Sequence, residues 1–374
     1  MGRICSYLGI LLLTFIFTYI FNVKENNVLL IMLLIMPVLD CISFIFFKMS
    51  TSAELEINND TVEKCQRVFC TIKLINKGIL LIPFIDYSLL SNGKIKVNAD
   101  IYERRSLGIR EIYEKSETLA AVHIGLGEIK LDDIVIRSLF GLFKGKVRCN
   151  EISKKIAIVP RVPNIEGIDM LMESNEASDD EDSSSLIQGE PGYDYKDYMP
   201  GDPLSRVNWK LSSKRNKLVI RKSLAMGKCK KIIVLDNHII SNKNFDDISD
   251  LLSEAVLGIA NELYLADYEV DVFIKNGGRW KDTSVNNVSD IEELQIYFST
   301  YIFSYDIGRL EGLRIYDDNK YDVILVTSNK DEEISIFLRS IQDKCNSVKI
   351  ISNNRTKLMD EEFYIGTDYE LGRL

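Results

Sequence analysis

From Ile4 to Val23 the chain reads ICSYLGILLLTFIFTYIFNV, largely apolar and without a charge. That is about the twenty residues a helix needs to cross a hydrocarbon core. Val28 to Phe47, VLLIMLLIMPVLDCISFIFF, is a second run of the same kind, interrupted only by Pro37 and Asp40. Lys24-Glu25-Asn26-Asn27 between them leaves room only for a tight turn, so the pattern predicts a helical hairpin whose backbone polar groups are satisfied internally. A cleaved secretory signal fits less well, because the first run is too long and no small-residue cleavage site precedes the second. Arg3 and Lys48 lie at the outer ends, while Lys24 in the turn is offset by Glu25, and the positive-inside rule then places both chain ends in the cytoplasm. Asp40 inside a span is by default a functional candidate, although its place near the end of the run also allows its carboxylate to snorkel to the interface.

Beyond Ser50 the period changes to two. Ala53 to Asn58, Val68 to Asn76, Thr118 to Gly125, Ile129 to Ser138 and Lys155 to Pro160 alternate apolar and polar residues between Asn, Asp, Gly and Lys turns, which predicts an all-β sandwich. His123 falls on one of these strands as a packed or solvent-facing residue, and Gly125-Leu126-Gly127 lacks the further Gly and helix of a nucleotide loop. After residue 230 strand and helix alternate: Lys231–Leu235, Phe245–Ala266, Glu269–Ile274, Tyr321–Val326, Glu332–Ile341 and Val348–Ile351. Such alternation implies a parallel sheet covered on both faces.

Charge divides the middle of the chain. Glu166 to Glu190 holds nine acidic residues and no Lys or Arg, and with Ser183 to Ser185 it reads as a mobile connector. Gly192 to Lys231 holds eleven Lys and Arg against three Asp. Within it, Pro200-Gly201 suits a turn, Asp202 a helix cap and Pro203 the first helical position. A helix from there sets Arg206, Trp209, Lys210 and Ser213 on one face, either as a capped connecting helix or as a cationic docking surface for an acidic partner, anionic lipid or the protein's own acidic linker. The resulting division is a two-helix hairpin over 1–48, a β-sandwich over 50–163, an acidic flexible linker over 164–191, a basic segment over 192–223 and an α/β domain over 224–374.

The whole chain has 374 residues and a formal charge of −9, which argues against coating nucleic acid by overall charge. Seven Cys without a CxxC pair fit reduced thiols better than a disulfide framework. His123 and His238 are the only imidazoles, so a two-His metal centre is nearly excluded.

Gly192, Tyr198, Pro200, Gly201, Asp202, Arg206, Trp209, Lys210 and Ser212 resemble the hallmark of the bacterial domain of unknown function 58 (DUF 58) family. Leu139-Phe140-Gly141-Leu142-Phe143 is similar to the family's D-P-F-G-L-F, and Ile158-Val159-Pro160-Arg161 to its V-Y-P-R. The departures are Lys196 for Arg, Val207 for Ile, one extra residue between Asp202 and Arg206, and Ser138-Leu139 for Asp-Pro. The resemblance implies a membrane hairpin, a β-sandwich and a doubly wound von Willebrand factor A-like domain. It also implies an interaction motif at Tyr198, Pro200, Gly201, Asp202, Arg206, Trp209, Lys210 and Ser212, and work with a MoxR-type AAA+ ATPase in assembling envelope or other complexes.

Domains of that type often hold Mg²⁺ at the end of the first strand through D-x-S-x-S. Here Asp236 is followed by His238 and Ile240 at the Ser positions, so the site is degenerate and no metal or other cofactor is expected. No P-loop sequence is present. His238 near Asp236 and Ser241 is a poor hydrolytic constellation, since adjacent residues at a strand end rarely converge. The expectation is a non-catalytic adaptor in the cell membrane with its soluble domains in the cytoplasm. The alternative is a metal-dependent binder or degenerate hydrolase facing the exterior.

Overall fold

The computed structural model describes residues 2–21, 24–97, 101–147, 152–172, 191–197, 212, 217–223, 230–239, 244–276, 279–303, 310, 312–313, 321–342, 344–356 and 361–374. Two compact units result. One joins Met1–Arg161 with Ser241–Glu254 and Glu292–Ile302; the other joins Val162–Ile240 with Ala255–Ile291 and Phe303–Leu374.

The first unit opens with helices α1 (Gly2–Phe21) and α2 (Lys24–Ser50). Val28–Ser50 is long and apolar enough to cross a membrane, whereas the described apolar stretch of α1, Cys5–Ile20, is shorter. The expected turn at 24–27 is instead the start of α2. A helix's first N–H groups have no intrahelical partner, so polar side chains are tolerated there.

Ten strands follow: β1 (Thr51–Ile57), β2 (Thr61–Glu63), β3 (Arg67–Asn76), β4 (Ile82–Ser91), β5 (Ile95–Lys96), β6 (Ile101–Leu107), β7 (Ile112–Ala121), β8 (Gly125–Arg137), β9 (Lys144–Lys146) and β10 (Ser153–Val159). They form one sheet in the order β1-β3-β7-β5 and another in the order β2-β10-β8-β4-β6, with β9 on β8. Leu55, Ile72, Leu74 and Leu119 of the first sheet share a core with Ile85, Tyr87, Leu89, Ile129 and Ile156 of the second. The strand expected over Thr118 to Gly125 ends at Ala121, so His123 sits in the β7–β8 connection rather than on a strand.

In the rest of the chain come α3 (Asp169–Met172), β11 (Pro191–Asp197), β12 (Val219–Ser223), β13 (Lys230–Leu235), α4 (Phe245–Leu265), β14 (Val270–Asn276), β15 (Arg279–Val285), α5 (Val288–Thr300), β16 (Tyr321–Thr327), α6 (Glu332–Ile341), β17 (Ser347–Ser352), β18 (Glu362–Ile365) and β19 (Leu371–Arg373). Strands β11 and β12 pair antiparallel by themselves. The main sheet runs β15-β14-β13-β16-β17-β18-β19. Its five inner strands are parallel, and the two edges, β15 and β19, are antiparallel. Strand β16 is buried at every position, as a central parallel strand must be. The face covered by α6 buries Val323, Leu325, Ile334, Phe337 and Leu338 together.

The first residues of the expected flexible linker, 164–172, are packed rather than free. Ile165 and Leu171 are buried. The carbonyls of Met170 and Leu171 accept hydrogen bonds from Lys349 Nζ (2.8 Å) and Lys231 Nζ (3.1 Å). Two lysines therefore satisfy the carbonyl end of α3, and Lys231 meets Asp322 at 2.7 Å with both side chains buried. The remainder of the expected linker up to 190 lies outside the described residues.

Candidate functional site

Strands β14 and β16 flank the parallel strand β13 on opposite sides, so the order in which successive strands are laid down reverses beside β13. In open α/β sheets that switch point, at the carboxyl ends of the strands, is where ligand crevices form. Asp236 follows β13 there, and Thr327, Ser328 and Asn329 end β16. Thr327 Oγ1 donates to Asp236 Oδ2 at 2.6 Å, and the His238 amide donates to Asp236 Oδ1 at 3.2 Å. Asn329 Nδ2 and Ser328 Oγ donate to the His238 carbonyl at 2.7 and 3.0 Å. The Asn329 amide in turn donates to Thr327 Oγ1 at 3.1 Å. Asp236 and Thr327 are fully buried. Both carboxylate oxygens of Asp236 are thus engaged within the protein.

This arrangement does not fit a divalent cation. It offers one carboxylate, and Asp331, the next acid along, caps α6 by accepting from the Ile334 amide at 3.2 Å. Among the described residues no cluster of three His, Cys, Asp or Glu could hold a metal. His238 contributes its backbone rather than its ring to the Thr327–Asn329 network, while Ile240 and Ser241 lie outside the described residues.

A second polar centre lies on α2. Asp40 is fully buried. Its carboxylate accepts from Ser138 Oγ (2.6 Å), the Phe140 amide (2.8 Å) and the Leu142 amide (3.1 Å). The loop Leu139-Phe140-Gly141-Leu142-Phe143 is therefore folded around an acid supplied by the apolar helix. Gly141 has φ +74, a conformation that favours glycine. The Ser138 amide donates to the Phe143 carbonyl at 3.0 Å and Ser138 Oγ accepts from the Phe143 amide, closing the loop. The Asp40 carboxyl is neither free nor turned to solvent; it is the acceptor around which the loop is folded.

A third cluster, also within the first unit, uses Asp250 and Glu254, one turn apart on α4. Both are buried. Asp250 meets His123 Nδ1 at 3.0 Å, the Ile124 amide at 3.0 Å and Lys64 at 3.2 Å. Glu254 meets Lys64 and Arg161, each at 3.1 Å. Burial pushes the Asp250 carboxyl above its ordinary range, and the Lys64 ammonium opposes this. Arg161 of the Ile158-Val159-Pro160-Arg161 motif is thereby accounted for, and the Pro160 carbonyl accepts from Gln295 Nε2 at 2.9 Å. Sequence reasoning missed this cluster. The available signal was a pair of acids four apart beside Leu251, Leu252 and Ala255, in a turn otherwise destined for burial. Burial also raises the Cys70 and Cys345 thiols to about 11, which leaves them poor nucleophiles.

Of the expected interaction motif, Tyr198, Pro200, Gly201, Asp202, Arg206, Trp209 and Lys210 lie outside the described residues. Ser212 is helical and buried.

No protein-family model matches the chain, and no curated protein matches it. Among solved structures, the chain is similar to the CARDB domain of the PF1109 protein from Pyrococcus furiosus in complex with di-metal ions, at 15% identity over 29% of this chain and 87% of that one, with a TM-score of 0.23. It is similar to native alpha-2-macroglobulin from Escherichia coli, at 18% identity over 30% of this chain and 17% of that one, with a TM-score of 0.25. It is also similar to a cohesin module from a Clostridium perfringens family 33 glycoside hydrolase, at 13% identity over 29% of this chain and 97% of that one, with a TM-score of 0.23. Likenesses of this size carry no argument about function.

Proposed function

We propose that the chain is a membrane-anchored, non-catalytic interaction protein of the DUF 58 type. In this reading α1 and α2 form a two-pass hairpin with the soluble parts in the cytoplasm. The β unit follows the anchor directly, and a von Willebrand factor A-like domain with the basic 192–223 segment engages a protein partner, a MoxR-type AAA+ ATPase. The observation that carries it is the Asp40 clamp. A carboxylate on an apolar helix fastened by three donors makes the helix an integral part of the β unit, as an anchor that bears a domain requires. The order β15-β14-β13-β16-β17-β18-β19, with the edge strand β15 antiparallel to parallel inner strands, supports the doubly wound reading. The internally satisfied Asp236 network supports recognition through surface rather than through a bound cation.

The test is a pull-down of the tagged full chain from native membranes, compared with an Arg206→Glu/Lys210→Glu variant. The ATPase is expected with the wild type and depleted with the variant. Equal recovery of every partner by both forms would remove the basic segment from this reading.

A further inference from the structure

We infer that the edge of the β unit around Leu139 and Phe140 is itself a lipid-contacting surface, sunk to the hydrocarbon–headgroup boundary beside α2. This rests on the membrane-anchor reading and specifies how much of the protein the bilayer covers.

Three observations support it. First, α2 is committed to the β unit well before it ends. Lys24 to Leu39 rises only about 24 Å at helical pitch, short of the roughly 30 Å of a hydrocarbon core. From Asp40 on, one face belongs to the β unit: Phe44 stacks toward Phe143 with ring centroids 6.4 Å apart, and Phe47 is buried. Second, the opposite face of that same stretch remains apolar and open, with Ile42 59% and Ile45 53% exposed. A helix face of this kind needs lipid at the depth where the β unit already stands alongside it. Third, the loop that grips Asp40 turns its own apolar side chains outward, Leu139 at 51% and Phe140 at 46% exposure.

Phe140 also joins Met36 and Leu39 in lining an apolar groove of about 610 Å³ that runs along α2, so the loop continues the helix's lipid-type surface without a polar break. The Asp40 clamp makes this possible. The Phe140 and Leu142 amides, which would be costly to bury in hydrocarbon unpaired, are satisfied by the Asp40 carboxyl, whose oxygens they satisfy in turn. Exposed Lys48, one turn past Phe44, then stands where headgroup phosphates begin.

The test uses the full chain in phosphatidylcholine–phosphatidylglycerol vesicles whose acyl chains are either plain or brominated near the glycerol end. Phe140→Trp and, separately, Leu139→Trp each add one fluorophore to the wild-type background of Trp209 and Trp280. Asn92→Trp, at the far end of β4 from this edge, is the control. The added fluorescence at 139 and 140 is expected to be lost in brominated vesicles, and that at 92 retained. If the chain floats with the vesicles but neither loop variant loses more signal than wild type, another protein surface covers the loop and the inference falls while the anchor stands. If the chain does not float at all, both fall. Should Phe140→Trp misfold, Leu139→Trp carries the same readout.

Discussion

Asp40 and Asp236 are both fully buried carboxylates, yet they serve opposite ends of the fold's logic. Asp236 ends one strand and is answered by Thr327 at the end of the neighbouring parallel strand, so it tightens a sheet that already exists. Asp40 is answered by groups 98 to 102 residues away, two of them backbone amides. It fastens a helix to a loop that otherwise meets it chiefly through the Phe44–Phe143 ring contact. Thr327 is itself 91 residues from Asp236, so the difference is one of structure: the first bond reinforces neighbouring strands and the second ties a helix to a loop. Removal should therefore cost more at Asp40. We expect Asp40→Ala to lower the unfolding free energy of the full chain in detergent by about 3 kcal/mol, since it strands buried donors that had a charged acceptor. Asp40→Asn should cost about half as much, because one acceptor oxygen is kept. Chymotryptic cleavage after Phe140 should accelerate in the same order, and unchanged resistance in the alanine variant would show that the clamp holds nothing.

Asp236→Ala is the matching cut in the sheet, with an expected loss of about 2 kcal/mol, and Thr327→Val about 1 kcal/mol. The double variant should lose less than the sum, because the two side chains share one hydrogen bond. The comparison sharpens with Mg²⁺. A carboxylate whose oxygens are already taken should give no saturable thermal shift on titration, and a clear shift abolished by Asp236→Ala would return the site to the metal-binding class.

The same contrast explains what could be read in advance. Strands β1, β3, β8 and β10 announce themselves by alternation, and β13, α4, β14, β16, α6 and β17 by the change of period. Strand β4 does not, because register shifts between Ile82 and Ile85 and between Asp86 and Ser88 break its period of two. Helix α5 carries the same kind of signal, with Ile291, Leu294 and Phe298 buried at helical spacing. At the sites, Asp236 and Thr327 could each be placed at a strand end, and adjacency of β13 with β16 does the rest. The partner of Asp40 could not be found that way. Its donors are mostly backbone N–H groups, which every loop possesses and no sequence pattern marks. The packing of 164–172 was hidden for a related reason: acidic composition predicts solvation, whereas the contacts that hold the segment are carbonyls of α3 answered by Lys231 and Lys349.

The smallest effect separates two further buried acids, Asp86 and Asp250. Burial alone would raise Asp86, but hydrogen bonds from Arg104 (2.7 Å) and Arg137 (3.0 Å) outweigh it and hold the carboxyl below its usual range. A folded pKa below the unfolded value of about 3.9 contributes stability that is present above that value and lost as pH falls through the lowered one. Asp250 has the reverse sign. Its pKa is raised by burial, so its contribution is complete below the unfolded value and is lost as pH rises through the raised one. Denaturant unfolding across the acid range should therefore show wild type losing its advantage over Asp86→Asn on acidification. Asp250→Asn should instead gain on wild type as pH rises. Parallel slopes for both variants would mean that Lys64 and His123 cancel the burial of Asp250 as fully as the two arginines do for Asp86, and the two acids would then be equivalent.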